Sequence, residues 1–208
     1  MTASADPAGS ITRRGSRKVR NTNSPADQNS AIIAAAEAEF SEVGVRRANV
    51  DEVARRAGVS RSTLYRRFPN KETLLLGVAA ELYERGMVRL DEAVRGLGPR
   101  AAVVEAFAAG AVMIADEPLM RRLVLTDHDM APITASVTAL FIDVATGRVA
   151  ATLRTAGAQM PEQDLFEAVE IHVRLVISFL ETPSSDESRQ APERVREFAE
   201  KFLAPMIW

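Results

Sequence analysis

The chain of 208 residues carries 26 Lys and Arg against 28 Asp and Glu, with 47% hydrophobic and 5% aromatic side chains and no cysteine. This excludes disulfides, thiolate zinc sites and cysteine nucleophiles, and describes a folded, soluble chain with a sizeable core and a reducing cytoplasm as its expected home. Two histidines are too few for a His-rich metal site, no apolar run approaches the ~18 residues of a membrane span, and Met1–Ser10 lacks the basic start and apolar core of an export signal; neither a metal, a cofactor nor a membrane is expected.

Charge is divided along the chain. Residues 1–71 hold 13 Lys and Arg against 7 Asp and Glu, whereas residues 72–208 hold 13 against 21. A basic first third on an acidic body is the footprint of a protein whose N-terminal part faces a polyanion, although chance clustering gives the same split.

Residues 1–29 are rich in Ser, Thr, Asn, Pro, Gly and Arg and poor in bulky apolar side chains, which predicts a disordered arm. Its Arg13, Arg14, Arg17, Lys18 and Arg20 have two open readings: contact with phosphates or a minor groove, or a solvated tail. Beyond the arm apolar residues recur at helical spacing and no alternating strand pattern appears, so the chain reads as all-α with about nine helices. Ile32, Ile33, Ala36, Phe40 and Val43 stripe a first helix closed by Gly44. Short helices follow at 50–57 and 61–68, then a long one from Lys71 to about Arg95, stopped by Gly96, Gly98 and Pro99. Gly77 and Gly86 within it predict a bend or a close approach. Further helices are predicted at 100–115, 118–125, 132–156, 162–181 and 192–204, with a polar loop at 182–190.

The segment Asn49–Leu76, NVDEVARRAGVSRSTLYRRFPNKETLLL, carries the functional information. Asn49 caps one short helix, with Glu52 at the reciprocal capping position and Asp51 and Glu52 favourable to its dipole. Ala54 allows a steep crossing, Gly58 supplies the left-handed turn, and Ser60 caps the next helix. There Leu64 and Phe68 point inward with Val59. Arg61, Ser62, Thr63, Tyr65 and Arg66 lie wholly or partly on the other side. This is a helix-turn-helix whose second helix can enter a major groove of double-stranded DNA. Arg61 and Arg66 suit bidentate contact to guanine, Thr63 a thymine methyl or backbone oxygen, and Tyr65 a phosphate. Lys71 follows the cap Asn70 in a first helical turn, where a cation is disfavoured unless an anion binds beside it.

The string AGVSRSTLYRRFPNKETLLL closely resembles the DNA-binding signature of the TetR family of transcriptional regulators, here also behind one N-terminal helix. Asn49 stands where that family often has Thr, and Arg67 where an aromatic or His commonly precedes the Phe. The resemblance implies DNA contact by Asn49, by the segment Ser60–Arg67 and by Lys71. It also implies a homodimer and a C-terminal ligand pocket. The expected organisation is a basic arm at 1–29, a three-helix DNA-binding domain at 30–76 and a ligand-binding and dimerisation domain at 77–208.

The predicted helix at 162–181 is apolar on more than one side, so part of it meets either the protein's own core or a second subunit. The resemblance favours a dimer formed by the last two helices, with Phe166, Val169, His172, Val173, Val176, Leu180, Val195, Phe198 and Phe202 as candidates. Tyr83, Met87, Phe107, Met113, Met120 and Phe141 suit the walls of a cavity for a small apolar ligand, and equally suit ordinary core packing. Asp127-His128-Asp129 diverge too much to bind a metal without other ligands.

The expected function is a ligand-responsive regulator, in this family usually a repressor at a palindromic operator. A nonspecific DNA-coating protein and an all-α enzyme with an unrecognised site are the alternatives. The second lacks support, because G-x-S-x-G, P-loop, G-x-G-x-x-G and H-E-x-x-H motifs are all missing.

Overall fold

The computed structural model describes residues 24–119, 131–182 and 185–208. Most of the basic arm, Met120, most of the predicted 118–125 helix and Asp127-His128-Asp129 lie outside the described residues, as does the side chain of Leu180. Eight α-helices and no strand occur among the described residues: α1 (Pro25–Val43), α2 (Val50–Arg56), α3 (Arg61–Arg67), α4 (Lys71–Ala93), α5 (Pro99–Asp116), α6 (Ala131–Thr155), α7 (Glu162–Glu181) and α8 (Pro192–Phe198). None is long and apolar enough to cross a membrane.

Helix α1 starts earlier than expected, inside the segment assigned to the arm. Ser24 and Asp27 close a reciprocal capping box around Pro25 at the first turn, so three local signals start the helix despite the polar composition around them. α1 and α2 pack together, α3 crosses α2, and α4 packs back on α1. Ile32, Phe40, Val53, Leu64, Leu74, Leu75 and Val78 form their shared core, each almost fully buried. Burial on this scale contributes roughly 1.5–3 kcal/mol for each large side chain. The start of α4 therefore completes the core of the three short helices.

The turn between α2 and α3 is built from one residue. Gly58 has φ 65°, and around it the Gly58 N–H donates to Arg55 O and the Val59 N–H to Ala54 O, at 3.2 and 3.0 Å. These two bonds are the paired closure of a Schellman turn, which requires a left-handed residue where side chains with a β-carbon are strained.

Helices α4, α5, α6 and α7 make the second core, containing Met87, Leu153 and Leu165. The helix expected at 192–204 is not uniform. After α8 the backbone widens into a π turn at Ala199–Leu203 and ends in a 3-10 turn at Ala204–Met206. Pro205 has no N–H to continue the α ladder, so the register changes ahead of it.

Candidate nucleic-acid interface

Helix α3 is one two-turn element held by its cap and a single deep anchor. The Thr63 N–H donates to Ser60 Oγ at 3.1 Å, and the same oxygen lies 2.8 Å from Thr63 Oγ1 and 2.9 Å from Ser62 Oγ. Leu64 fills the core, while Val59 and Phe68 pack against it half-buried. With that face fixed, Arg61, Ser62, Tyr65 and Arg66 are exposed, Tyr65 to 43%. Thr63 is half-buried and committed to the cap.

Arg61 is not free in this conformation. Its guanidinium donates to Asp51 Oδ2 across the helix-turn-helix, with the arginine side chain still 69% exposed. An exposed pair of this kind contributes about 0–1 kcal/mol, whereas a bidentate arginine–guanine contact is worth about 1–3 kcal/mol of discrimination. The internal pair is thus weak enough to be exchanged for a stronger partner. Arg66 has no ion pair among the described residues.

The remaining candidates have internal partners. Asn49 caps α2 as expected, its Oδ1 accepting the Asp51 N–H at 2.9 Å. The reciprocal bond expected from Glu52 does not form: the Asn49 N–H donates instead to Glu39 Oε1 at 3.0 Å, and Glu52 accepts from Arg55 and Arg56. The Arg55 hydrogen bond, followed by that of Arg56, holds the Glu52 carboxyl down to about 2. Arg67 turns away from the exposed face of α3, its guanidinium donating to Asn29 Oδ1 at 2.6 Å and Gln28 Oε1 at 3.1 Å on α1. Lys71 Nζ donates to the Arg46 carbonyl at 3.0 Å, which ties the first turn of α4 to the α1–α2 connection and offsets the unfavourable place of a cation there.

Glu39 was not anticipated. It is 5% exposed, caps the Asn49 N–H and lies 3.4 Å from Arg56. Its signal was present in the sequence as a carboxylate on the buried stripe of α1, since a charge in that place needs partners.

In the C-terminal body a small, partly open chamber of about 60 Å³ lies between α4, α5, α6 and α7. Met87, Phe107, Met113 and Phe141 line it, and so does His172. Tyr83 stands behind the wall. Its ring packs edge-on against Phe141 with centroids 6.0 Å apart, and its hydroxyl donates to the Val144 carbonyl at 3.2 Å. Beside the chamber a larger cleft of about 1120 Å³ runs between α4, α5, α7 and α8, and Leu90, Phe107, Met113 and Val176 border both spaces.

Of the residues suggested for a dimer, Val169, His172 and Val176 are buried within the chain itself, on the side of α7 that faces the chamber. Val173, Val195 and Phe198 are half-buried, while Phe166 and Phe202 stay exposed together with Ile171 and Phe179. Phe179 meets Phe198 edge-on and Phe198 meets Phe202 at a tilt, with centroid distances of 5.4 and 5.1 Å.

A capped helix-turn-helix seated on a helical body defines a class of helical regulatory protein, and comparison with known proteins agrees. The family model described as bacterial regulatory proteins, tetR family, matches residues 32–78, and that described as bacterial tetracyclin repressor, C-terminal domain, matches residues 99–201. The chain belongs to the TetR family.

Among curated relatives it is 35% identical over 86 residues to the HTH-type transcriptional regulator EthR of Mycolicibacterium smegmatis, covering 41% of this chain and 39% of that protein. It thus spans about two fifths of the length of that relative. Solved structures match more widely at lower identity. The TetR family repressor AlkX from Dietzia sp., implicated in biodegradation of n-alkanes, has a TM-score of 0.65 and 22% identity over 88% of this chain and 97% of that one. Salmonella enterica GusR has a TM-score of 0.65 and 21% identity over 88% and 99%. These two share the fold.

Proposed function

We propose that the chain is a sequence-specific DNA-binding transcriptional regulator that binds a palindromic operator as a homodimer in the cytoplasm, represses transcription, and is released by a small apolar ligand. The observation that carries this reading is the exposed face of α3, on which Arg61, Ser62, Tyr65 and Arg66 stand outward while Leu64 fixes the helix from behind. Arg61 and Arg66 supply base contacts and Tyr65 a phosphate contact. Asn49, Ser60, Ser62, Thr63 and Lys71 position the duplex, and Arg67 contributes only by holding α3 to α1. One two-turn helix reads few base pairs, so two copies spaced by about 34–36 Å, or a multiple, supply the rest. Phe166, Ile171, Phe179 and Phe202 provide apolar area for the second copy. The regulator named EthR and the repressor named AlkX support the same reading.

Selection of bound DNA from a random pool by the purified protein tests it. A palindromic consensus is expected. Little preference for any site, with a steep dependence on salt, would replace this reading with nonspecific coating.

A further inference from the structure

The chamber between α4, α5, α6 and α7 is lined by one polar side chain among the described residues, His172. The residue is 7% exposed, and its Nε2 atom is buried with no hydrogen-bond partner among the described residues. An orphaned polar atom in an apolar space costs roughly 1–3 kcal/mol, so its partner is to be sought in what fills the space. Water serves Nε2 poorly: about 60 Å³ admits it, but a water held at so buried an atom needs two to four polar partners, and the described walls offer one polar side chain, His172 itself.

The chemistry of the missing partner follows from the surroundings. Burial lowers the imidazole to about 4, so at neutral pH the ring is uncharged and carries one N–H donor and one lone pair. Among the described residues no charged side chain lines the chamber, which makes an ionic ligand expensive to desolvate. A hydroxyl both donates and accepts, and thus satisfies Nε2 in either tautomer. The chamber is smaller than the roughly 150 Å³ cavity that holds a benzene ring. Expansion has an evident route through Met113, a flexible side chain that borders both the chamber and the larger cleft.

We infer that the chamber receives a neutral apolar molecule carrying a single hydroxyl, its oxygen hydrogen-bonded to His172 Nε2 and its hydrocarbon displacing the Met113 side chain toward the cleft. The inference rests on the ligand-responsive part of the proposed function and names the chemistry of that ligand.

Its test uses the purified full chain without DNA, titrated with the matched probes 4-ethylphenol and ethylbenzene. The ratio of the two affinities is expected to fall about tenfold in His172→Leu, the worth of one good hydrogen bond, and to recover in part in His172→Gln. Only the phenol should displace the Nε2 resonance in spectra of protein labelled with 15N-histidine. The chain has two histidines, so His128→Gln assigns that signal. Met113→Ala should strengthen binding of both probes. An affinity ratio unchanged by His172→Leu, a phenol that leaves the resonance in place, or no binding of either probe up to its solubility limit would overturn the inference. Because no DNA is present, a chain that binds 4-ethylphenol as described yet selects no operator sinks the regulatory reading alone.

Discussion

Gly77 on α4 and Phe68, which closes α3, meet without room for a methyl group between them. A β-carbon at Gly77 would lie 2.9 Å from Phe68 Cε1 and 3.1 Å from Ile33 Cδ1. The glycine expected to mark a bend or a close approach marks the approach. Through it α4 rests directly on the residue that closes α3. In Gly77→Ala the helix gains about 1 kcal/mol of intrinsic propensity, but crowding the half-buried Phe68 ring and Ile33 costs about 1–3 kcal/mol. A net loss of about 1 kcal/mol is expected, read as a melting temperature lower by about 2–4 °C.

Gly86 is the counterpart further along α4. A β-carbon there would collide with Met113 Sδ, the far end of a flexible side chain. Gly86→Ala should give no net gain alone, yet stabilise by up to about 1 kcal/mol once Met113→Ala has removed the collision. A double-mutant cycle by chemical denaturation measures the coupling; additivity of the two changes would contradict the contact.

The proposed DNA-facing surface predicts three distinct DNA phenotypes. Arg61→Ala should flatten base preference at one position of the selected site, at a cost of about 1–3 kcal/mol there. Lys71→Ala should weaken all sequences alike and reduce the salt slope by about 1. Asp51→Asn frees Arg61 and should tighten operator binding by up to about fivefold. Titrations at several salt concentrations with cognate and scrambled duplexes separate the three; matching profiles for Arg61→Ala and Lys71→Ala would undo the division of roles.

Stability should fall in acid in two stages. His172 has a folded value of about 4 against an ordinary 6.5, so between these pH values the unfolded chain binds the extra proton. Its contribution is complete above 6.5 and is lost as pH falls through 4, a change of roughly 3 kcal/mol. Glu52, held at about 2 by Arg55 and Arg56, stabilises above the usual carboxylate range and loses that effect only as pH drops from about 4.5 through 2. Denaturant melts from pH 7 to 3 should show the first stage in the parent chain and lack it in His172→Leu.

Local grammar made the DNA-facing end legible in the sequence. The caps Asn49, Ser60 and Asn70, the turn at Gly58 and the anchor Leu64 are set by neighbours within a few residues, and each forms. What escaped depends on distance in three dimensions. Asp51 reaches Arg61 across a turn, and Lys71 finds the carbonyl of Arg46, a backbone atom no side-chain pattern announces. In α7, apolar residues on several sides left its orientation undecided, because a 3.6-residue period marks faces without saying which neighbour each one meets. That ambiguity left His172 among the interface candidates; within the chain it is buried and lines the chamber.

The Arg61–Asp51 pair has a kinetic consequence on the proposed reading. While it holds, the base-reading guanidinium is folded back against its own domain, and a duplex of arbitrary sequence meets a surface whose grip comes from phosphate contacts. Sliding stays fast over such a landscape. Only a cognate step draws the arginine across, so the same exchange that lengthens residence at the operator leaves the search along other DNA unhindered.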